Sequence, residues 1–132
     1  MTYQDLIRRA MRTLGVLHHN ESPTADEAAD ALATLNDMLN SWRLEGMDLE
    51  HIEGVLTDTV PYANEIIPAI RYNLAMELST EFGVEPSMPL IQRAASTYRA
   101  LQAEYSDPDE LRADDLFRYV PNEEYGYYKD FS

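Results

Sequence analysis

His18 and His19 lie beside Glu21, and His51 is the only other histidine in the chain. Imidazole next to carboxylate is the raw material of a metal site or of an acid–base pair. The setting argues against both. Adjacent histidines in the polar stretch His18-His19-Asn20-Glu21-Ser22-Pro23 rarely turn their rings toward one point, and His51 is distant in sequence. A solvated loop is expected there, with no metal.

Carboxylates offer a second chemistry. Asp114-Asp115 or Glu123-Glu124 could supply the proton donor and the base of a glycosidase. With 24 acidic residues among 132, such neighbours arise by chance, and adjacency does not set the separation that the reaction needs. Glycine-rich phosphate loops, Gly-x-Ser-x-Gly and His-Glu-x-x-His are all absent. The chain also has no cysteine, which removes disulfides, thiolate ligands and a thiol nucleophile. The expectation is a non-enzymatic protein with no catalytic residue and no cofactor.

Binding is better represented than catalysis. Phe117, Tyr119, Tyr125, Tyr127, Tyr128 and Phe131 are nearly half of the chain's aromatic rings, and their spacing follows neither a helical nor an alternating period. Disordered, solvated tails are poor in aromatics, whereas a ring that finds a partner buries about 150–250 Å². These six residues are therefore the candidate partner-binding set. Folding back over their own domain is the alternative use for them.

The elements that must carry this tail are helical. Thr2 and Asp5 form a capping box, after which Leu6, Ile7, Ala10, Met11 and Leu14 recur at helical spacing as far as Gly15. Thr24 with Glu27 repeats the device, and the stripe Ala28, Ala31, Leu32, Leu35, Met38, Leu39, Trp42 predicts a helix over 24–45, stopped at Gly46. Trp42 is expected to be a core anchor, and Met11, Met38 and Met76 core filler. Residues 47–62 mix Ile52, Val55, Leu56 and Val60 with Gly54, Thr57, Asp58 and Thr59, which suits extended chain or a small β-hairpin. A third helix begins near Ile66, with Pro68 in its first turn, and ends at Gly83. A fourth opens at Ser87-Met88-Pro89 and presents Ile91, Ala94, Ala95, Tyr98, Leu101 and Tyr105 on one face. A short acidic helix is expected over 109–116. The fold class is thus all-α, a bundle of four to five helices with one extended or β-hairpin insertion and an extended C-terminal arm. It divides into a helical domain, 1–106, and an acidic, aromatic-rich extension, 107–132.

At this length about two thirds of the unfolded surface can be buried, so one domain has a real core. No uncharged run approaches the roughly 18 residues of a membrane span, and the N-terminus lacks a signal-peptide core. No membrane partner is expected, and the protein reads as soluble. A net charge of −14 with no basic cluster beyond Arg8, Arg9 and Arg12 opposes a grip on a nucleic-acid backbone.

Three segments, in this order and at this spacing, resemble the head–tail adaptor proteins of phages. The closest likeness is to the tail accessory factor family of short-tailed phages, the packaged-DNA stabilisation proteins. The first segment runs from Asp5 to Val16. The second is Ala28 to Gly46, with Leu35-Asn-Asp-Met-Leu-Asn-Ser-Trp42 followed by Leu44-Glu-Gly. The third is Tyr72 to Leu78, continuing through Glu81-Phe-Gly-Val-Glu-Pro-Ser87 and the alanine-rich helix to Tyr105.

The resemblance implies a virion protein of the head–tail interface, made in the host bacterial cytoplasm. Family members form a twelve-subunit ring, a homo-oligomer under the portal protein. The ring extends the DNA channel, helps retain packaged DNA and attaches the tail, through a nozzle or a tail tube protein. DNA passes through without specific binding, and a C-terminal extension reaches along the portal. The aromatic tail from Phe117 is the candidate for that extension, although beyond Asp107 no family motif is present.

Three alternatives remain: a head–tail connector of a long-tailed phage, an acidic helical cell-wall hydrolase, and a small regulatory protein that binds a basic partner. The charge generates one test. The free protein should leave duplex DNA unshifted in an electrophoretic assay at moderate salt, and a measurable shift would contradict the reading of its acidic surface.

Overall fold

Two capping boxes start the first two helices. The hydroxyl of Thr2 accepts the Asp5 N–H at 3.2 Å while the Asp5 carboxylate accepts the Thr2 N–H at 3.1 Å. Thr24 and Glu27 exchange the same pair at 3.2 and 2.9 Å. Each box satisfies N–H groups that a helix start leaves without intrahelical partners. The computed structural model describes residues 1–105, and these hold four helices and no strand: α1 (Tyr3–Leu14), α2 (Ala25–Leu44), α3 (Ile67–Phe82) and α4 (Met88–Tyr105). Across the described residues the fold is all-α. The acidic helix expected over 109–116 and the extended arm lie outside them.

Helix α3 occupies the centre and packs against α1, α2 and α4. Its sequence explains why. Ile70, Leu74 and Leu78 form one buried row, and Ala69 and Ala75 widen the buried surface with side chains small enough for close helix approach. Leu6, Ile7, Ala10 and Met11 of α1 and Leu35, Met38 and Leu39 of α2 complete one continuous core. Pro68 sits in the first turn of α3, where the missing N–H costs no intrahelical bond. Gly83 ends that helix with a left-handed φ of 63°.

The packing corrects one expectation and narrows another. On α4 the inward seam is Leu90, Ala94 and Leu101 with Tyr98 half-buried, whereas Ile91, Ala95 and Tyr105 face water. Helix α4 leans mainly on α3, so a narrow seam suffices, and the apolar period alone did not set its rotation. The second concerns residues 47–62, expected as extended chain or a small hairpin: of these alternatives the hairpin does not form, and no strand is present there. They run beside the N-terminus, with the Val60 N–H donating to the Met1 carbonyl at 2.9 Å, the Tyr3 N–H to the Asp58 carbonyl at 3.1 Å and the Gln4 N–H to the Leu56 carbonyl at 3.0 Å. A single antiparallel bridge joins Thr2 and Thr59.

The cause is again the helix start. Tyr3 and Gln4 open α1, and their N–H groups take the carbonyls of this segment in place of water. A turn over 55–58 aims those carbonyls, closed by the Asp58 carboxylate on the Val55 N–H at 2.8 Å. Gly54 is required beside it, because a Cβ there would come within 2.7 Å of an Asp58 carboxylate oxygen and 3.2 Å of the Tyr3 ring.

Trp42 is 5% exposed and meets Tyr98 edge-on, with ring centroids 5.3 Å apart, tying the end of α2 to α4. Trp42→Ala is expected to cost about 3–5 kcal/mol in urea denaturation. A loss below about 1 kcal/mol would show that the indole contributes little beyond surface cover.

Candidate functional site

The six aromatic residues expected to bind a partner, Phe117, Tyr119, Tyr125, Tyr127, Tyr128 and Phe131, lie outside the described residues, as do the paired carboxylates Asp114-Asp115 and Glu123-Glu124. His18 and His19 are exposed in a loop that closes on itself. The His18 N–H donates to the Glu21 carboxylate at 2.7 Å, and the Glu21 N–H to the His18 carbonyl at 3.1 Å. His51 does not join them. Among the described residues no three histidine, aspartate or glutamate side chains converge in a way that could hold a metal ion.

His51 instead belongs to a buried polar network that the sequence did not reveal. Its Nε2 lies 2.8 Å from the Asn36 amide oxygen on α2, and its Nδ1 pairs with the Tyr62 hydroxyl. These partners fix the neutral tautomer: Nε2–H donates to Asn36, and the Tyr62 O–H donates to Nδ1. Tyr62 also lies near enough to Tyr3, at the start of α1, for the two phenols to influence each other's titration. One chain of groups therefore binds the 47–62 segment to α2 and sets it against α1.

Burial governs the titration of these groups. It holds His51 below its ordinary value of 6.5; the Glu53 carboxylate opposes this and Arg43 adds to it. Burial likewise raises Tyr62 well above the usual phenol range, with Tyr3 reinforcing the shift, and raises Tyr3. A phenol so disfavoured as phenolate is a poor nucleophile or base. The network's evident capacity is to hold the segment in place.

A second cluster joins α3 and α4. The Tyr72 hydroxyl accepts an Arg71 Nη2–H at 2.7 Å and an Arg93 Nη1–H at 2.8 Å. Both guanidinium groups also sit over the Tyr72 ring, 4.6 and 5.4 Å from its centroid, at cation–π distance. Asn73 sets the register beside them, donating to the carbonyls of Ala69 at 2.8 Å and Ala94 at 3.1 Å. Among the described residues the one ion pair is Arg8 with Asp5, at 3.5 Å, so neither arginine of this cluster meets a carboxylate there. Arg71 also reaches a shallow pocket that it shares with Arg9 and Tyr62. The sequence signal was faint: cations are scarce in this acidic chain, but nothing in their spacing brings positions 71 and 93 together.

Two apolar features remain. A cleft of about 540 Å³ runs between the start of α3 and the end of α4, with Ile66, Pro68 and Ala69 facing Ala100 and Leu101 and with Tyr105 at one end. Elsewhere Leu44 is 91% exposed, Ile52 82% and Val55 59%. No helix among the described residues is long and apolar enough to cross a membrane.

No protein-family model matches the chain, and no curated protein matches it either.

The His51 network generates a pH test. A folded-state value below 6.5 means that the unfolded chain binds the proton more readily, so stability is complete above about pH 6.5 and falls as the pH drops below it. The Asp5 carboxyl is held low by the Thr2 N–H it accepts, so its contribution fades only further down, below about 3.8. Thermal midpoints between pH 7 and 5 should fall for the native protein and be distinctly flatter for His51→Gln. Equal slopes for the two would remove His51 as the source.

Proposed function

We propose that this chain is a structural virion protein, a head–tail adaptor whose copies form a twelve-subunit ring under a portal protein. The ring would continue the DNA channel, help retain the packaged genome and attach the tail through a nozzle or tube protein. It is proposed as non-enzymatic, working by binding and shape alone. The observation that carries the reading is a helical domain whose core is continuous over α1–α4 while Leu44, Ile52 and Val55 are left in water. Exposed aliphatic side chains that adjoin one another mark contact surfaces, and a contact between copies is the use proposed for these three. The resemblance of residues 5–105 to phage adaptors supplies the kind of contact: subunit against subunit in a closed ring.

The mechanism follows from the distribution of residue types. Leu44, at the end of α2, with Ile52 and Val55 on the neighbouring segment, would form part of the lateral contact between copies. Phe117, Tyr119, Tyr125, Tyr127, Tyr128 and Phe131 would insert into grooves of the portal, where truncating an aromatic anchor often costs 2 kcal/mol or more. Repetition around the ring would multiply individually weak contacts through effective concentration. The excess of carboxylates serves the channel, since a negative wall repels DNA and lets it slide.

Deleting residues 117–132 should leave helical circular dichroism and the thermal midpoint close to native while weakening binding to the portal by about 30-fold or more, the equivalent of about 2 kcal/mol. Unchanged portal binding, or collapse of the fold, would refute the assigned role of the tail. Separately, Leu44→Glu with Ile52→Glu should prevent ring formation, seen by electron microscopy of the protein mixed with portal, without lowering the thermal midpoint. Rings of native size from that variant would exclude these side chains from the lateral contact.

A further inference from the structure

Arg9 on α1 and Arg71 on α3 open onto the same pocket, a space of about 310 Å³ beside the first residues of the chain and the start of α3. They are the charged side chains that line it. Val60, Ile67 and Pro68 give apolar walls, and Asn64 adds an exposed amide. Tyr62 contributes its ring, because its hydroxyl proton is already committed to His51. In a chain with 24 acidic and 10 basic residues, no carboxylate among the described residues lines this pocket. Neither arginine has a carboxylate partner there, the one ion pair being Arg8 with Asp5. Arg71 is held in position, since its Nη2–H donates to the Tyr72 hydroxyl at 2.7 Å and its guanidinium lies over that ring, 4.6 Å from the centroid. That one hydrogen bond leaves further N–H groups of the fork for an acceptor.

We propose that this pocket binds a phosphate dianion, as inorganic phosphate or as the terminal phosphate of a small phosphorylated molecule, between the guanidinium groups of Arg9 and Arg71. Two permanent positive charges match two negative ones, and guanidinium N–H forks suit the oxygens of a phosphate. The apolar walls add to the attraction, because a cleft lined by one sign of charge and bounded by low-dielectric groups focuses its field. A carboxylate is the poorer occupant. It carries one charge and two oxygens, so a single fork satisfies it and the second arginine stays unpaired. Duplex DNA suits the pocket less well again, since each diester group carries one charge and the net charge of −14 repels a polyanion as it approaches. All the lining residues belong to one copy of the chain. Occupancy of the pocket is therefore independent of the adaptor role.

Nuclear magnetic resonance of the isotope-labelled full chain, titrated with inorganic phosphate at about pH 8 where the dianion prevails, tests this. Amides at and beside Arg9, Asn64 and Arg71 should shift and saturate, while chloride at matched ionic strength should produce no such shift. R71Q should weaken phosphate binding about tenfold and R9Q about fivefold, in the range expected when one charged hydrogen-bonding partner is removed. R99Q, on an exposed side chain that does not line the pocket, should leave binding unchanged. Because R71Q also removes the bond to Tyr72, R9Q provides the arm that spares the α3–α4 contact. Glycerol 3-phosphate distinguishes the two sources: tighter binding than phosphate assigns the pocket to a phosphorylated small molecule, and equal or weaker binding assigns it to the free ion. Absent or unsaturable shifts, native affinity in a folded R9Q protein, or binding of acetate or dimethyl phosphate as tight as that of phosphate would overturn the proposal. These measurements use the free monomer, so a negative result leaves the adaptor reading untouched.

Discussion

Burial of α3 on several sides is the constraint on which the rest of the molecule depends. Ile70, Leu74 and Ala75 are completely enclosed, and the other three helices each rest on this one. At roughly 25 cal/mol for each Å² of apolar surface removed from water, a helix covered on several faces contributes more than any single surface helix. Two of the polar side chains it carries are satisfied by backbone carbonyls. The Ser79 hydroxyl donates to the Met76 carbonyl at 2.6 Å, and Asn73 bridges to α4. A central helix so placed holds α1, α2 and α4 together around one core.

Polar groups then specify what apolar packing leaves open. Met47 and Val60 bury the two ends of the 47–62 segment in the core, and the N–H groups of Tyr3 and Gln4, which lack intrahelical partners, fix how it runs beside the N-terminus. The Tyr62, His51 and Asn36 network adds direction, because both ring nitrogens of His51 are engaged, one by α2 and one by the segment itself. Such buried networks cost energy if half-satisfied and define a unique arrangement when complete. Here the arrangement leaves Ile52 and Val55 in water, as Leu44 is at the end of α2.

Charge is distributed with the same economy. In a chain with 24 acidic and 10 basic residues, pairing two arginines around Tyr72 concentrates scarce positive charge at the α3–α4 seam. Their mutual repulsion is moderated by the ring face and the phenol oxygen, and by water around the exposed Arg93. Two guanidinium groups held on one ring make a local positive feature in a chain whose net charge is −14.

The four helices were legible in the sequence because their signals are local. The capping boxes at Thr2 and Thr24, the prolines in the first turns of α3 and α4 and the stops at Gly15, Gly46 and Gly83 depend only on residues a few positions apart. The aromatic run from Phe117 was equally visible as composition, and its place lies beyond the described residues. What the sequence left undetermined was how elements meet. The rotation of α4, the pairing of 47–62 with the N-terminus, the His51 network and the Arg71–Tyr72–Arg93 cluster each join groups distant in sequence, from 11 positions between His51 and Tyr62 to 59 between Met1 and Val60. Periodicity and capping act within one helix, whereas these contacts are decided by which side chains and unpaired backbone groups are brought together when the helices close around α3.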